Sequence, residues 1–193
     1  RRTLRTLLLN YNRIVRVDVD YVDCLDELQL LHLGNNYLTE FPDVSHAVKL
    51  KILKLYSNFF EEIPMIPNLG KSLELLQIGN NPLKRAPRRH LECLGRTQIN
   101  MASTTIRSFP NLCQVKSRTS MQLSAKDAFN LSCDCHLRWL KLVSPLGSIL
   151  VLDEAPCRDP IELHEINFTS IRPSAMKCSG QRLYNVTFFF SFG

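Results

Sequence analysis

Residues 28–38 read LQLLHLGNNYL, and the spacing of leucine and asparagine in this stretch decides the fold. The same skeleton returns in LRTLLLNYNRI at residues 4–14, LKILKLYSNFF at residues 50–60 and LELLQIGNNPL at residues 73–83. The first leucines of successive copies lie 22 to 24 residues apart. A fixed skeleton at a fixed period indicates stacked copies of one unit, which expose a repeated surface. The function is therefore expected on that surface and not in a catalytic cleft.

One copy explains why the skeleton is needed. Leu31 and Leu33 lie two residues apart and point to one face of a short strand, whereas His32 points to the other face. The leucine face becomes core only when the next copy stacks on it. The skeleton asparagine recurs where the chain leaves the strand, at Asn12, Asn36, Asn58 and Asn81. A buried amide there can bond the backbone of the neighbouring turn, so we interpret these asparagines as structural.

The period lies in the range of leucine-rich repeats, and two degenerate copies extend the array. Ile99 and Met101 keep the phase of the core positions, although Thr104 replaces the asparagine. Leu123 in SMQLS indicates one further strand. The sequence thus predicts an α/β-type solenoid, a short curved array of about six repeats at residues 1–127 with a parallel sheet on its concave side.

A cysteine-rich segment follows the repeats. CDCHLRWL contains Cys133 and Cys135, and Cys157 and Cys178 come later. This pattern resembles the C-terminal flank of extracellular leucine-rich repeat proteins. That group includes Slit-type guidance proteins, Toll-like receptor ectodomains, platelet glycoprotein Ib and the variable lymphocyte receptors of jawless vertebrates. The resemblance implies a disulfide-bonded cap at residues 128–182, with Cys133 bonded to Cys157 and Cys135 bonded to Cys178.

The two ends of the chain lie outside this framework. Leu4 already belongs to a repeat, and no cysteine-rich N-terminal flank precedes it. We therefore expect the uncapped end to self-associate or to continue into a preceding segment. Residues 183–193 form a tail, which we interpret as the start of an anchor, an artificial extension or a disordered end.

Cysteine content and sequons predict a secreted or cell-surface glycoprotein. Seven cysteines in 193 residues argue for an oxidising compartment. Three N-x-S/T sequons predict glycosylation in or after the cap, at Asn130, Asn167 and Asn185.

Three cysteines remain outside the cap framework. Each strand is followed by a return segment, which leads to the next strand along the convex side of the array. Cys93 and Cys113 lie in successive return segments, where a disulfide and free thiols are both open. Cys24 is interpreted as a small core residue. CDCH lacks the C-x-x-C spacing of a zinc site, so no metal is expected. The sequence contains no glycine-rich phosphate loop, G-x-S-x-G or H-E-x-x-H motif, so neither an enzyme nor a cofactor is expected.

The outward positions of the strands locate a candidate binding surface. With the first leucine of each repeat as position one, positions three, five, seven and eight form columns across the concave face. Leu30, Ile52 and Leu75 make an apolar stripe in column three, which either marks a partner surface or is tolerated there under its neighbours. We prefer recognition, because aromatic and hydrogen-bonding side chains surround the stripe. The predicted binding residues are Leu8, Tyr11, Leu30, His32, Asn35, Ile52, Lys54, Tyr56, Leu75, Gln77, Asn80 and Asn100.

A second candidate surface is basic. The formal net charge is +6, and the segment KRAPRRH concentrates Lys84, Arg85, Arg88 and Arg89. This basic patch would attract an anionic polysaccharide such as heparan sulfate, an anionic glycolipid or an acidic protein. A solvated charged loop is the alternative.

Three function classes remain open. The preferred one is an immune-receptor-like module that binds a protein or a microbial-surface glycan or lipid on the concave face, as the resemblance implies. The alternative is a cell-adhesion or guidance module that binds another ectodomain or heparan sulfate, and the third is a structural matrix protein. Nucleic acid is not an expected partner in any of them.

Overall fold

Short strands from successive repeats build one parallel sheet. A computed structural model describes residues 3–18, 25–41, 44, 46–66, 69, 72–94, 97–111, 122–124, 131–143 and 156–178. Within them the sheet consists of β1 (Thr6–Leu8), β2 (Leu30–His32), β3 (Ile52–Lys54), β4 (Leu75–Gln77), β5 (Gln98–Asn100) and β6 (Gln122–Ser124). Each strand pairs with the next at the same repeat position. The predicted leucine-rich repeat solenoid, including both degenerate copies, is confirmed.

The central residue of each inner strand points into the core. Leu31, Leu53 and Leu76 are buried, whereas the residues on either side of them are only half-buried. Burial of one leucine side chain contributes roughly 1.5–3 kcal/mol to folding. The buried leucines of the repeats and the apolar side chains of the C-terminal segment belong to one continuous core.

Three asparagine side chains tie neighbouring repeats together. Asn58 Oδ1 accepts a hydrogen bond from the backbone N–H of Leu38 in the preceding repeat at 3.0 Å. Its Nδ2 donates to the Leu33 carbonyl of the preceding repeat at 3.0 Å, and to the Leu55 and Tyr56 carbonyls of its own repeat at 3.1 and 3.3 Å. Asn36 and Asn81 make equivalent bonds, so their predicted structural role is confirmed. Asn12 is exposed, and its bonds within the described residues are to carbonyls of its own turn.

One helix on the return side was not expected from the sequence. α1 (Arg88–Leu94) begins directly after Pro87, whose carbonyl accepts a hydrogen bond from the N–H of buried Leu91 at 3.2 Å. Arg88 Nε lies 2.7 Å from Glu92 Oε1, at the i,i+4 spacing that supports a helix. The basic patch therefore lies partly on a helix and not only in a loop.

The C-terminal segment folds as a small cap with a second, two-stranded sheet. β7 (Leu131–Ser132) pairs in parallel with β8 (Cys157–Asp159), and α2 (Arg138–Val143) lies between them in the chain. Three 3-10 turns follow β8, at Ile161–Leu163, Phe168–Ser170 and Pro173–Ala175.

Two disulfides fix the cap, and a backbone hydrogen bond joins it to the repeats. Cys133 is bonded to Cys157 and Cys135 to Cys178, with Cα atoms 5.6 and 5.0 Å apart. Both predicted pairings are confirmed. The N–H of Ser132 donates to the carbonyl of Arg107 at 2.8 Å. The cap thus continues the repeat stack and shares its core.

The sequence left a disulfide and a free thiol both open for Cys93. In the structure its thiol is free and half-buried, and the residue lies on α1. Cys24 and Cys113 lie outside the described residues, as do the sequons at Asn130 and Asn185.

The edge of the sheet at β1 is only partly covered. Leu4 is 39% exposed, and Leu7 and Leu9 are half-buried against the core. Self-association through this edge stays a prediction. Among the helices in the described part of the chain, none has the length and apolar character to cross a bilayer.

Candidate functional site

The exposed columns of the sheet lie in the predicted register. Column three brings together Thr6, Leu30, Ile52, Leu75 and Gln98. Column five brings together Leu8, His32, Lys54, Gln77 and Asn100. The members of the apolar stripe, Leu30, Ile52 and Leu75, are half-buried. They therefore present apolar surface at the centre of the concave face.

Tyr56 lies at the centre of that face, and neighbouring residues hold its ring in place. Its hydroxyl lies 2.9 Å from His32 Nε2, and the two ring centroids are 5.5 Å apart. A Cβ atom on Gly34 would lie 2.8 to 3.0 Å from three atoms of the Tyr56 ring, so the ring packs directly on the glycine. Gly34 and Tyr56 occupy position seven of neighbouring repeats, and a glycine beside an aromatic residue in one column is the sequence signal for this contact.

Charge on this part of the face comes from Lys54. Burial lowers the pKa of the His32 imidazole, and the Lys54 ammonium lowers it further. His32 is therefore neutral near pH 7 and shares a hydrogen bond with the Tyr56 hydroxyl whose direction depends on the tautomer. Lys54 has no ion-pair partner among the residues that the structure describes, so its charge is available to a ligand.

Position eight marks the edge of the concave face. Its residues have φ angles of 55°, 57°, 54° and 51°, at Tyr11, Asn35, Ser57 and Asn80. This left-handed backbone turns the chain out of the strand. Asn35, Ser57 and Asn80 line a groove of about 380 Å³ together with Tyr37 and Phe59. The predicted binding residues therefore fall on two adjoining surfaces.

Carboxylates neutralise most of the basic patch. Lys84 Nζ lies 2.8 Å from Glu61 Oε1, and Arg85 Nη2 lies 3.1 Å from Glu62 Oε2. Hydrogen bonding to the Lys84 ammonium lowers the pKa of Glu61. Arg88 is paired within α1. These ion pairs are exposed and worth little to stability, but they reduce the field that an anionic ligand would meet.

The remaining member of the basic patch lies beside a cleft between the repeats and the cap. Arg89 Nε donates to His90 Nε2 at 3.2 Å. The cleft has a volume of about 790 Å³ and is lined by the basic patch and by His136 and Trp139 of the cap. The indole Nε1 of Trp139 is buried and has no hydrogen-bond partner among the described residues.

Two of the potential metal ligands in the cap are already bonded to each other. Cys135, His136 and Cys178 place their ligand atoms within 4.8 Å of one another. The two sulfur atoms are joined in a disulfide, so neither is a thiolate that could bind zinc.

The sequon at Asn167 lies on the surface of the cap. Asn167 Oδ1 accepts hydrogen bonds from the backbone N–H and the hydroxyl of Thr169 at 3.3 and 3.1 Å. Its Nδ2, the atom that would carry a glycan, makes no bond to the described residues. Glycosylation at Asn167 remains a prediction.

Comparisons with known proteins agree with the fold. Residues 2–60 match the family model described as Leucine rich repeat. A chain of the solved octameric complex of Latrophilin 3 (Lec, Olf), Unc5D (Ig, Ig2, TSP1) and FLRT2 (LRR) is similar, with a TM-score of 0.74 and 20% sequence identity. The match covers 88% of this chain and 53% of that chain, so the chain spans about half the length of its structural neighbour. No curated protein matches the sequence.

Proposed function

We propose that this leucine-rich repeat chain is an extracellular recognition module that binds a protein ligand on its concave face. The observation that carries the proposal is Tyr56, which is half-exposed yet held by Gly34 and His32. An aromatic side chain that is already ordered loses little conformational entropy on binding. Tyrosine is also among the residue types that dominate binding energy at protein interfaces.

The surroundings of Tyr56 suit a protein partner. Leu30, Ile52 and Leu75 supply apolar area, and Lys54 and Gln77 supply a cation and an amide beside it. Protein interfaces combine an apolar centre with a polar rim in this way. The two disulfides of the cap fit an oxidising, extracellular compartment.

The structural neighbour supports a protein ligand over a microbial lipid or glycan on this face. The solved complex contains that neighbour assembled with other multidomain proteins. We therefore place the adhesion or guidance type of module, which binds another ectodomain, ahead of the immune-receptor type. The immune-receptor hypothesis requires that a microbial ligand or an antigen bind to the same columns.

A binding screen with matched variants tests the proposal. The purified chain is screened by biolayer interferometry against a panel of ectodomains that includes Latrophilin 3 and Unc5D. For the strongest binder, Tyr56→Ala and Lys54→Ala should each weaken affinity by about 1 kcal/mol or more. Gly34→Ala should also weaken it, because the new methyl group displaces the Tyr56 ring.

Two controls separate the concave face from the rest of the surface. Ile161→Ala changes a side chain that is 78% exposed on the cap, so it should leave affinity unchanged. Charge reversal at Arg85, Arg88 and Arg89 should matter only for an anionic ligand, and its effect should shrink as salt rises. Binding that survives the concave variants but is abolished by this reversal would place the site at the basic patch.

A further inference from the structure

A groove beside the concave face contains an exposed aromatic shelf. The rings of Tyr37 and Phe59 come from neighbouring repeats and lie with their centroids 5.9 Å apart at an angle of 32°. They are 49% and 51% exposed. Both occupy repeat position ten, between the buried asparagine and the buried residue at position eleven. The core does not require an aromatic residue at this position, so the shelf needs another explanation.

Polar groups with unused hydrogen-bonding capacity lie next to the shelf. Asn80 Nδ2 donates to Ser57 Oγ at 2.9 Å. Among the described residues, the Asn80 amide oxygen and the serine hydroxyl hydrogen have no further partner. The side chain of Asn35 makes no hydrogen bond to the described residues. All three residues have left-handed backbone at the same repeat position, so their side chains start from equivalent, fixed points. The groove therefore presents donors and acceptors in a regular row.

The lining of this groove carries no charge. Every residue that lines it is asparagine, serine, tyrosine or phenylalanine. The chain as a whole contains 22% charged residues and has a net charge of +6. The volume of about 380 Å³ lies in the range of small-ligand sites, roughly 300–1,000 Å³. The ligand that fits is neutral, with one flat apolar face and many hydroxyl or amide groups.

From this chemistry we infer that the groove binds a neutral oligosaccharide. The apolar face of a pyranose ring stacks on Tyr37 and Phe59, and its hydroxyl groups pair with Asn35, Ser57 and Asn80. An apolar anchor from a protein ligand would leave these amide and hydroxyl groups without partners, which is unfavourable. The groove adjoins the Tyr56 region, but the Tyr56 side chain is not part of its lining.

An array of neutral oligosaccharides tests the inference. The probes are oligomers of glucose, galactose, mannose and N-acetylglucosamine, and the strongest binder is then titrated by calorimetry. The double variant Tyr37→Ala, Phe59→Ala should lose binding at least ten-fold. Asn35→Gly removes the amide but tolerates the left-handed backbone, and should weaken binding several-fold.

The controls keep the result interpretable. Met65→Ala truncates a side chain that is 46% exposed and does not line the groove, so its affinity should equal that of the unaltered chain. Circular dichroism melting of each variant checks that the fold is kept. Absence of binding to every neutral probe would overturn the inference, and so would unchanged affinity of a folded double variant. An ectodomain that binds through Tyr37 and Phe59, with no oligosaccharide bound there, would show a protein site instead.

Discussion

Removal of the Asn58 side chain should destabilise the repeat stack by an amount that the hydrogen bonds define. In Asn58→Ala, the backbone N–H of Leu38 loses its acceptor. Asn58 Nδ2 contacts three carbonyls, those of Leu33, Leu55 and Tyr56. Each keeps a second donor, from the side chains of Asn36 and Asn81 and from the backbone N–H of Asn35, respectively. The variant therefore leaves one buried N–H without a partner and weakens the bonding of three carbonyls.

The expected loss follows from these four groups. An orphaned buried donor costs about 1–3 kcal/mol, and each lost ordinary hydrogen bond about 0.5–1.5 kcal/mol. Because neighbouring effects are not additive, we expect a total loss of about 2–4 kcal/mol in the free energy of unfolding. Asn12→Ala is the matched control, since Asn12 is exposed and accepts no backbone N–H; it should change that free energy by less than about 0.5 kcal/mol.

Urea unfolding followed by circular dichroism measures both variants. Asn58→Ala should lower the midpoint without changing the slope, since the unfolded surface is the same. A loss below about 0.5 kcal/mol for Asn58→Ala, or an equal loss for both variants, would refute the assignment of the asparagine bonds as the link between repeats.

Further predictions concern the end of the asparagine series, the cap and the concave histidine. Thr104→Val should be neutral or stabilising by calorimetric melting, because the buried Thr104 hydroxyl has no partner among the described residues; clear destabilisation would contradict this. Replacement of Cys133 and Cys157 by alanine should lower the free energy of unfolding by about 2–5 kcal/mol, measured in urea. The pKa of His32, measured by NMR titration, should lie below its usual value near 6.5 and rise in Lys54→Ala. Since the unfolded state then binds the proton more readily, stability should fall as the pH drops below about 6.5, and His32→Gln should reduce that fall.

The repeat skeleton predicted the fold more completely than it predicted the contacts on the protein surface. Leu31, Leu53 and Leu76 recur once per repeat at the same position. When the repeats stack, only one face of each strand is buried, so these leucines must lie on that face. The sheet register and the concave columns follow from that constraint. The disulfide pairing of the cap came from the resemblance, since four cysteines allow three connectivities.

The sequence analysis missed the ion pairs that join neighbouring repeats on the return side. Glu61 and Lys84, like Glu62 and Arg85, pair across neighbouring repeats at sequence separations close to the repeat period. Opposite charges one period apart are therefore a usable sequence signal. Helix α1 was missed because proline and arginine dominate its start, whereas the burial of Leu91 and Leu94 that stabilises it depends on tertiary packing.

Hydroxyl-radical footprinting of the complex with the strongest ectodomain tests the central claim most directly, because it reports the solvent exposure of individual side chains. We predict that oxidation of Tyr56 falls sharply on binding, while oxidation of Met65 on the return side stays unchanged. Oxidation of Tyr56 at the same rate in the free and the bound chain would contradict recognition on the concave face.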